Sequence, residues 1–371
     1  MKFEYIQKEL DYYKKFTPAN FVEEKARFFA HIKKKEAYNP FFEYSDKLEV
    51  KDYKEIKETL QKKIGRDLII NEFIKVYMDV ADMLIAWKQN DYQALSDISG
   101  KLFGSTNAFD INKTIENYKQ LTSLAHESEE VYNDDQIGEI FKEEFAKRHL
   151  EGWLIAYHEA SGGNVSIYES EKKIVIRTGT TETRLGMDCV IAHELDGHAV
   201  QAFNAMSNRR YAKWLLSYLG TEKQYEGYAT FVVVNNLSLA HINSELSYNF
   251  GLIIATSQAQ RSTFYETYQS IYELCRDEEF SFSAAYKAKR GFQDTACFGC
   301  FQKENAYSLG ALEIIALVEQ SEENYYRLLQ GCFPLPAIRF IAAKAPKWLS
   351  VKNFNKENQV YFKNKMRMIQ N

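Results

Sequence analysis

The chain has no fixed-period repeat, no low-complexity tract and no apolar run reaching the ~18 residues that a membrane span needs. Solenoid and tract-built architectures are set aside, and no membrane partner is expected. A basic excess is missing too. Lys+Arg total 47 against 51 for Asp+Glu, a formal net charge of -4. That argues against general nucleic-acid binding, which wants a basic balance or a basic face. Cysteine is scarce and scattered: Cys189, Cys275, Cys297, Cys300 and Cys332. An odd, dispersed set does not read as a disulfide framework. The opening Met-Lys-Phe-Glu-Tyr is charged and has no apolar stretch, so no signal peptide is expected. A reducing, cytoplasmic location is the default that follows.

Aromatic side chains are abundant by contrast, with 25 Tyr and 25 Phe in 371 residues, enough for a packed core in one large or two modest domains. Phe21 to Ala30 reads as an amphipathic helix, which Asn39-Pro40-Phe41-Phe42 breaks with extended chain. Residues 51–125 are expected to be helical. Leu68, Ile69, Phe73, Ile74, Val76 and Tyr77 recur at helical spacing, Asp91 starts another helix and Asp110 caps the next. The acidic, apolar-poor stretch 127–135 reads as a linker or exposed loop, followed by a helix over 136–151. Ala160-Ser161-Gly162-Gly163 is a strong breaker. Val165–Tyr168 and Lys173–Arg177 then predict a β-hairpin. Helices are expected over 182–206, 222–240, 246–275 and 305–330, with a turn at Pro334 and Pro336 and a lysine- and aromatic-rich tail. This divides into an N-terminal helical region (1–135), a catalytic domain (136–345) and a basic C-terminal tail (346–371). The fold class is α+β, mainly α-helical.

The chemistry concentrates in Ile191-Ala192-His193-Glu194-Leu195-Asp196-Gly197-His198. Two imidazoles and a carboxylate this close are the components of a zinc hydrolase site. Histidines four apart share one face of an α-helix, but these are five apart and would diverge by ~140° at ~100° per residue. One extra residue in a π-bulge brings them back together, and such bulges favour functional sites. Gly197 lowers the cost of that distortion. The third ligand is expected from later in the chain. Glu226 in Tyr225-Glu226-Gly227-Tyr228-Ala229 is the best candidate, in the first turns of a helix that Thr221 and Gln224 would cap, with Gly227 allowing close approach to the first helix. His193, His198 and Glu226 would hold one Zn2+ per chain and leave a fourth position open to water, the catalytic arrangement.

His193-Glu194-Leu195-Asp196-Gly197-His198 followed by Glu226-Gly227-Tyr228-Ala229 resembles the DUF1704 family, which includes tubulin-tyrosine carboxypeptidases of the MATCAP type and bacterial proteins named for a QEGLA motif. Ser99-Gly100-Lys101-Leu102-Phe103-Gly104, Lys289-Arg290-Gly291 and Tyr307-Ser308-Leu309-Gly310 resemble further family elements, so the likeness spans about residues 60–320. It implies a zincin-like metallopeptidase core with a small β-hairpin or sheet beside the HExxxH helix. It also implies His193, His198 and Glu226 as ligands and Glu194 as the catalytic carboxylate. QEGLA reads here as Tyr225-Glu226-Gly227-Tyr228-Ala229, which leaves the ligand and glycine intact but alters the pocket wall. His-Glu-Leu-x-Gly-His also resembles the motif of dipeptidyl peptidase III, a second instance of this spacing binding zinc.

The expected reaction is peptide hydrolysis, by a carboxypeptidase releasing a C-terminal tyrosine or other aromatic residue from a peptide or protein. Glu194 would move the water proton to the leaving amine. Tyr228, Tyr307 and Arg290 are candidates for stabilising the oxyanion, and Arg290 and Arg177 for binding the terminal carboxylate. Asp196, Asp188 and Asn204 are candidates for holding the imidazoles by their second nitrogen. A groove for an acidic tubulin tail would want basic residues converging on the site, and the net charge of -4 gives no sign of them. Cys297-Phe298-Gly299-Cys300 lacks the second pair of a zinc ribbon, so buried or loop cysteines are expected there. The alternatives are a non-enzymatic, zinc-bound regulatory scaffold and a zinc hydrolase acting on a non-peptide amide or ester.

Overall fold

A computed structural model describes residues 2–123, 130–148, 150, 152–158, 164–168 and 171–371. Helices dominate, and the described strands form two small sheets. No helix among the described residues is long and apolar enough to cross a membrane. The breaker 160–163 and part of the acidic stretch, 127–129, lie outside the described residues.

One hydrophobic core runs from end to end of the chain. It gathers Phe3, Tyr12 and Phe16, the inward face of helix Leu68–Lys88, Phe231 of helix Glu222–Asn236, and Phe362, Met366 and Ile369 of helix Lys356–Ile369. The tail therefore docks through its aromatic and aliphatic side chains, with Lys352 and Lys356 exposed and Lys363 paired to Glu319. Asp67 and Asp91 cap the helices that follow them, and Asp110 accepts from the Asn112 and Lys113 amides. A second cluster joins Ile137, Phe141 and Phe145 of helix Asp134–Lys147 to Ile174, Ile176, Leu195 and Ala199.

The strands are β1 (Val131–Asn133), β2 (Leu154–His158), β3 (Val165–Tyr168), β4 (Lys173–Arg177) and β5 (Thr181–Thr183). β3 and β4 pair antiparallel from Val165↔Ile176 to Tyr168↔Lys173, the expected hairpin. β2 adds in parallel on the other side of β4, so β3 is left as an edge. β1 pairs antiparallel with β5. This corrects the linker reading of 127–135: Val131 and Tyr132 are good strand formers inside an acidic stretch, and β5 offers them an edge.

Helix boundaries shift for local reasons. The helix expected from 182 starts at Arg184, because Thr183 caps it by accepting from the Gly186 amide. The helix expected to reach 240 ends at Asn236, and Leu239–Ala259 is a separate element. The stretch 246–275 is broken before Thr263, whose capping box with Glu266 starts helix Phe264–Cys275.

Candidate functional site

The segment Ala192–Ala199 is π-helical, with α-helical turns before it (Arg184–Ile191) and after it (Val200–Met206). The wider turn compensates for the five-residue spacing. The His193 and His198 rings lie 4.7 Å apart at 86° to each other. Gly197 sits where helix Glu222–Asn236 crosses. A Cβ there would stand 2.8 Å from Ala229 Cβ and 2.9 Å from Ala229 Cα. Only glycine permits that approach, and the approach brings Glu226 to the histidines.

Glu226 Oε2 is 3.2 Å from His193 Nε2 and 3.6 Å from His198 Nε2. One donor atom from each of the three falls within 4.8 Å of the others, the one such group of three metal-ligand side chains among the described residues. Two imidazole nitrogens and one carboxylate oxygen converging from two helices fit a zinc-type donor set with room for a further ligand on the cavity side. Burial pushes the His198 imidazolium down to about 4. Burial also acts against the His193 cation, but the Glu226 hydrogen bond and the Glu194 charge outweigh it and raise that group. Burial works against the Glu226 carboxylate as well. The Lys303 charge and hydrogen bonds from both histidines win, and hold it well below the usual range.

Lys303 is the residue that sequence reasoning missed. Its Nζ donates to Glu226 Oε1 at 2.6 Å and to Tyr307 Oη at 2.9 Å. The placement follows from a second glycine contact. Gly227 packs against Gly310 of helix Asn305–Gln320, and a Cβ on Gly227 would stand 2.5 Å from Gly310 Cα. That corrects the reading of Gly227. The glycine at the crossing of the two site helices is Gly197, on the metal-motif helix itself, whereas Gly227 admits the helix that carries Tyr307, with Lys303 just before it. Lys303 and Tyr307 are four apart, a spacing that shares a helix face and could have signalled the pair.

The site opens into a cavity of about 230 Å³ lined by His193, Glu194, His198, Glu226, Arg290 and Tyr307, among others. Of the four substrate-side candidates, Arg290 and Tyr307 line this cavity. Arg290 is buried with its guanidinium 5.6 Å from the centre of the Tyr286 ring. Tyr228 is not in the lining. It lies two residues beyond Glu226, ~200° around the helix, and is fully buried in the main core. Arg177 is also absent from the lining and hydrogen-bonds Asn164 at 2.7 Å on the sheet. Tyr225 was not singled out, yet its ring stacks on His198 at 3.6 Å.

None of the three residues proposed to steady the imidazoles touches them. Asp196 makes a two-point pair with Arg148 at 2.8 and 3.0 Å. Asp188 meets His241, and Asn204 holds the backbone at Lys347 and Trp348. The Thr221–Gln224 capping box does not form. Gln224 reaches Gly331 and Phe333 instead, tying the helix start to a later loop. The CxxC cysteines are free thiols. Lys289 Nζ pins their loop by donating to the carbonyls of Ala259, Cys297 and Gly299.

A family model described as microtubule-associated tyrosine carboxypeptidase matches residues 26–345, a span that contains both helices of the site, Lys303 and Tyr307.

The chain belongs to this family.

Among solved structures, it resembles the putative lipoprotein from Colwellia psychrerythraea at 13% identity and a TM-score of 0.38, over 86% of this chain and 53% of that one. This chain thus spans about half the length of that solved chain, and the likeness carries no argument about fold or chemistry. No curated protein matches the chain.

Proposed function

We propose that this chain is a zinc-dependent carboxypeptidase with a zincin-like core, cutting the last peptide bond of a substrate that ends in tyrosine. The observation that carries the reading is the convergence of His193, His198 and Glu226 on one point, with Glu194 beside them in the lining of the same cavity. Membership of a family of tyrosine carboxypeptidases supplies the substrate class.

His193, His198 and Glu226 would hold a zinc ion, which would supply Lewis-acid activation of the water and of the scissile carbonyl. The side chains do the rest. Glu194 takes the proton of the attacking water and returns it to the leaving amine. Tyr307 Oη accepts from Lys303, so its own proton is left to point at the carbonyl oxygen as charge builds there. Burial holds the Tyr307 phenol far above its ordinary range, which keeps that proton in place. Arg290 receives the terminal carboxylate with its two-pronged guanidinium. The free edge of β3 borders the cavity and offers backbone pairing to an extended substrate. On this reading residues 136–345 are the catalytic unit, working in the cytoplasm, and 1–135 supply part of the cavity wall, Tyr13 and Thr17 included.

The test is tyrosine release from tyrosine-ended peptides by the wild type and by Glu194→Gln. The reading expects release by the wild type and its loss in the variant, with zinc retained. Full activity in Glu194→Gln sinks the mechanism, and turnover confined to N-acyl amino acids would assign the site to a non-peptide amide.

A further inference from the structure

A second cavity, of about 220 Å³, lies on the other side of His193 and Glu194 and shares them, Tyr307, Val165 and Lys287 with the first. Strand β3 borders both: Val165–Tyr168 line the first, and Val165 with the preceding Asn164 lines the second. An extended chain laid along that edge passes the candidate metal site with one end in each cavity. Among the cations lining the first cavity, Lys14 pairs with Asp11 and Lys303 with Glu226, which leaves the Arg290 guanidinium to meet an incoming anion. Arg290 suits a terminal carboxylate, so the leaving residue belongs there and the residue before the scissile bond faces the second cavity.

The second cavity is acidic. Beyond the residues it shares with the first, its charged lining is Glu182 and Glu245. Lys287, the cation common to both, is committed: its Nζ donates to Tyr248 Oη at 2.6 Å and lies 3.8 Å from Glu304. Glu182 has a built seat, because a Cβ on Gly186 would collide with its carboxylate. Glu245 comes from helix Leu239–Ala259, on the facing wall. Burial pushes both carboxyls up, so both sit at a cost that an incoming cation relieves.

We propose that this second cavity is the subsite for the penultimate residue of the substrate, and that Glu182 and Glu245 there select a lysine or arginine over an acidic side chain. The proposal rests on the carboxypeptidase reading above and gives it a substrate class: peptides ending in a basic residue followed by tyrosine.

The experiment compares three N-acetylated tetrapeptides, Ala-Ala-Lys-Tyr, Ala-Ala-Ala-Tyr and Ala-Ala-Glu-Tyr. Hydrolysis is followed with the wild-type zinc-loaded enzyme, and binding by calorimetry with Glu194→Gln. The expected result is a preference for the lysine over the glutamate peptide of ~10-fold or more, a difference of ~1.4 kcal/mol. It should appear in KM and shrink as salt is raised. Glu182→Gln/Glu245→Gln should bring the ratio close to unity, and either single variant should lower it in part should the pair fail to fold. Equal or better use of the glutamate peptide overturns the proposal, as does a lysine preference untouched by the variants. Lysine-selective binding without hydrolysis of any peptide would overturn the carboxypeptidase reading and leave the subsite standing. No binding of any of the three would overturn both.

Discussion

Lys303 Nζ lies 2.6 Å from Glu226 Oε1, while the other oxygen of the same carboxylate faces both imidazoles. One oxygen is occupied by a buried cation and the other is turned to the donor set. Lys303 thus fixes the rotation of Glu226 and leaves it a single oxygen to offer. Replacing Lys303 with methionine should weaken zinc binding ~10–100-fold, the usual loss when a partner of a ligand is removed. Competition with a chromogenic chelator measures it, and unchanged affinity would refute the role.

Tyr307→Phe removes the one proton that Lys303 leaves free to point into the cavity. The expected result is a fall in kcat of ~10²–10³-fold with zinc content and KM little changed, the cost of losing a donor to the developing oxyanion. A change confined to KM would place Tyr307 in binding instead.

Gly227→Ala tests the packing that brings Lys303 and Tyr307 to Glu226. The added methyl meets Gly310 backbone, which no side-chain rotation relieves. Overpacking of this kind costs ~1–3 kcal/mol. Chemical denaturation of the metal-free protein should show that loss, and the same substitution should lower zinc affinity because it displaces Glu226. Wild-type stability would show that the two helices can separate freely.

Glu222 predicts a pH dependence away from the ligands. It is fully buried, accepts from the Tyr12 hydroxyl and the Gly220 amide, and burial pushes its carboxyl up to about 7. The folded-state value lies above the unfolded value of 4.5, so the neutral form is the one that folding favours. Its contribution is whole below about 4.5 and is lost as pH rises through about 7. Glu222→Gln should therefore match the wild type near the lower limit and exceed it above neutrality, by on the order of 1 kcal/mol for each pH unit of the window. Denaturation midpoints measured across that window check it, and parallel curves would contradict it.

The convergence of His193, His198 and Glu226 was legible in the sequence because these residues lie in short motifs. His193, Glu194 and His198 fall within six residues, and their five-residue step itself called for the π-helical turn that Ala192–Ala199 makes. The β3–β4 hairpin was legible from alternation. The surroundings were not, because distant segments set them. Asp196 looked available to an imidazole until Arg148, from another helix, took it. Tyr228 looked close to Glu226 in number but faces the core. Gly227 and Gly310, 83 positions apart, meet only in the fold, and their contact is what puts Lys303 in the site. β2 was not read from the sequence because its parallel partner, β4, follows β3 in the chain, so the pairing is not local.

The most direct test of the central claim is zinc per chain, by elemental analysis, on the wild type and on Glu226→Ala. The account predicts about one zinc in the wild type and a clear loss in the variant, with both proteins folded. A folded wild type without zinc, or an undiminished zinc content in Glu226→Ala, would contradict it.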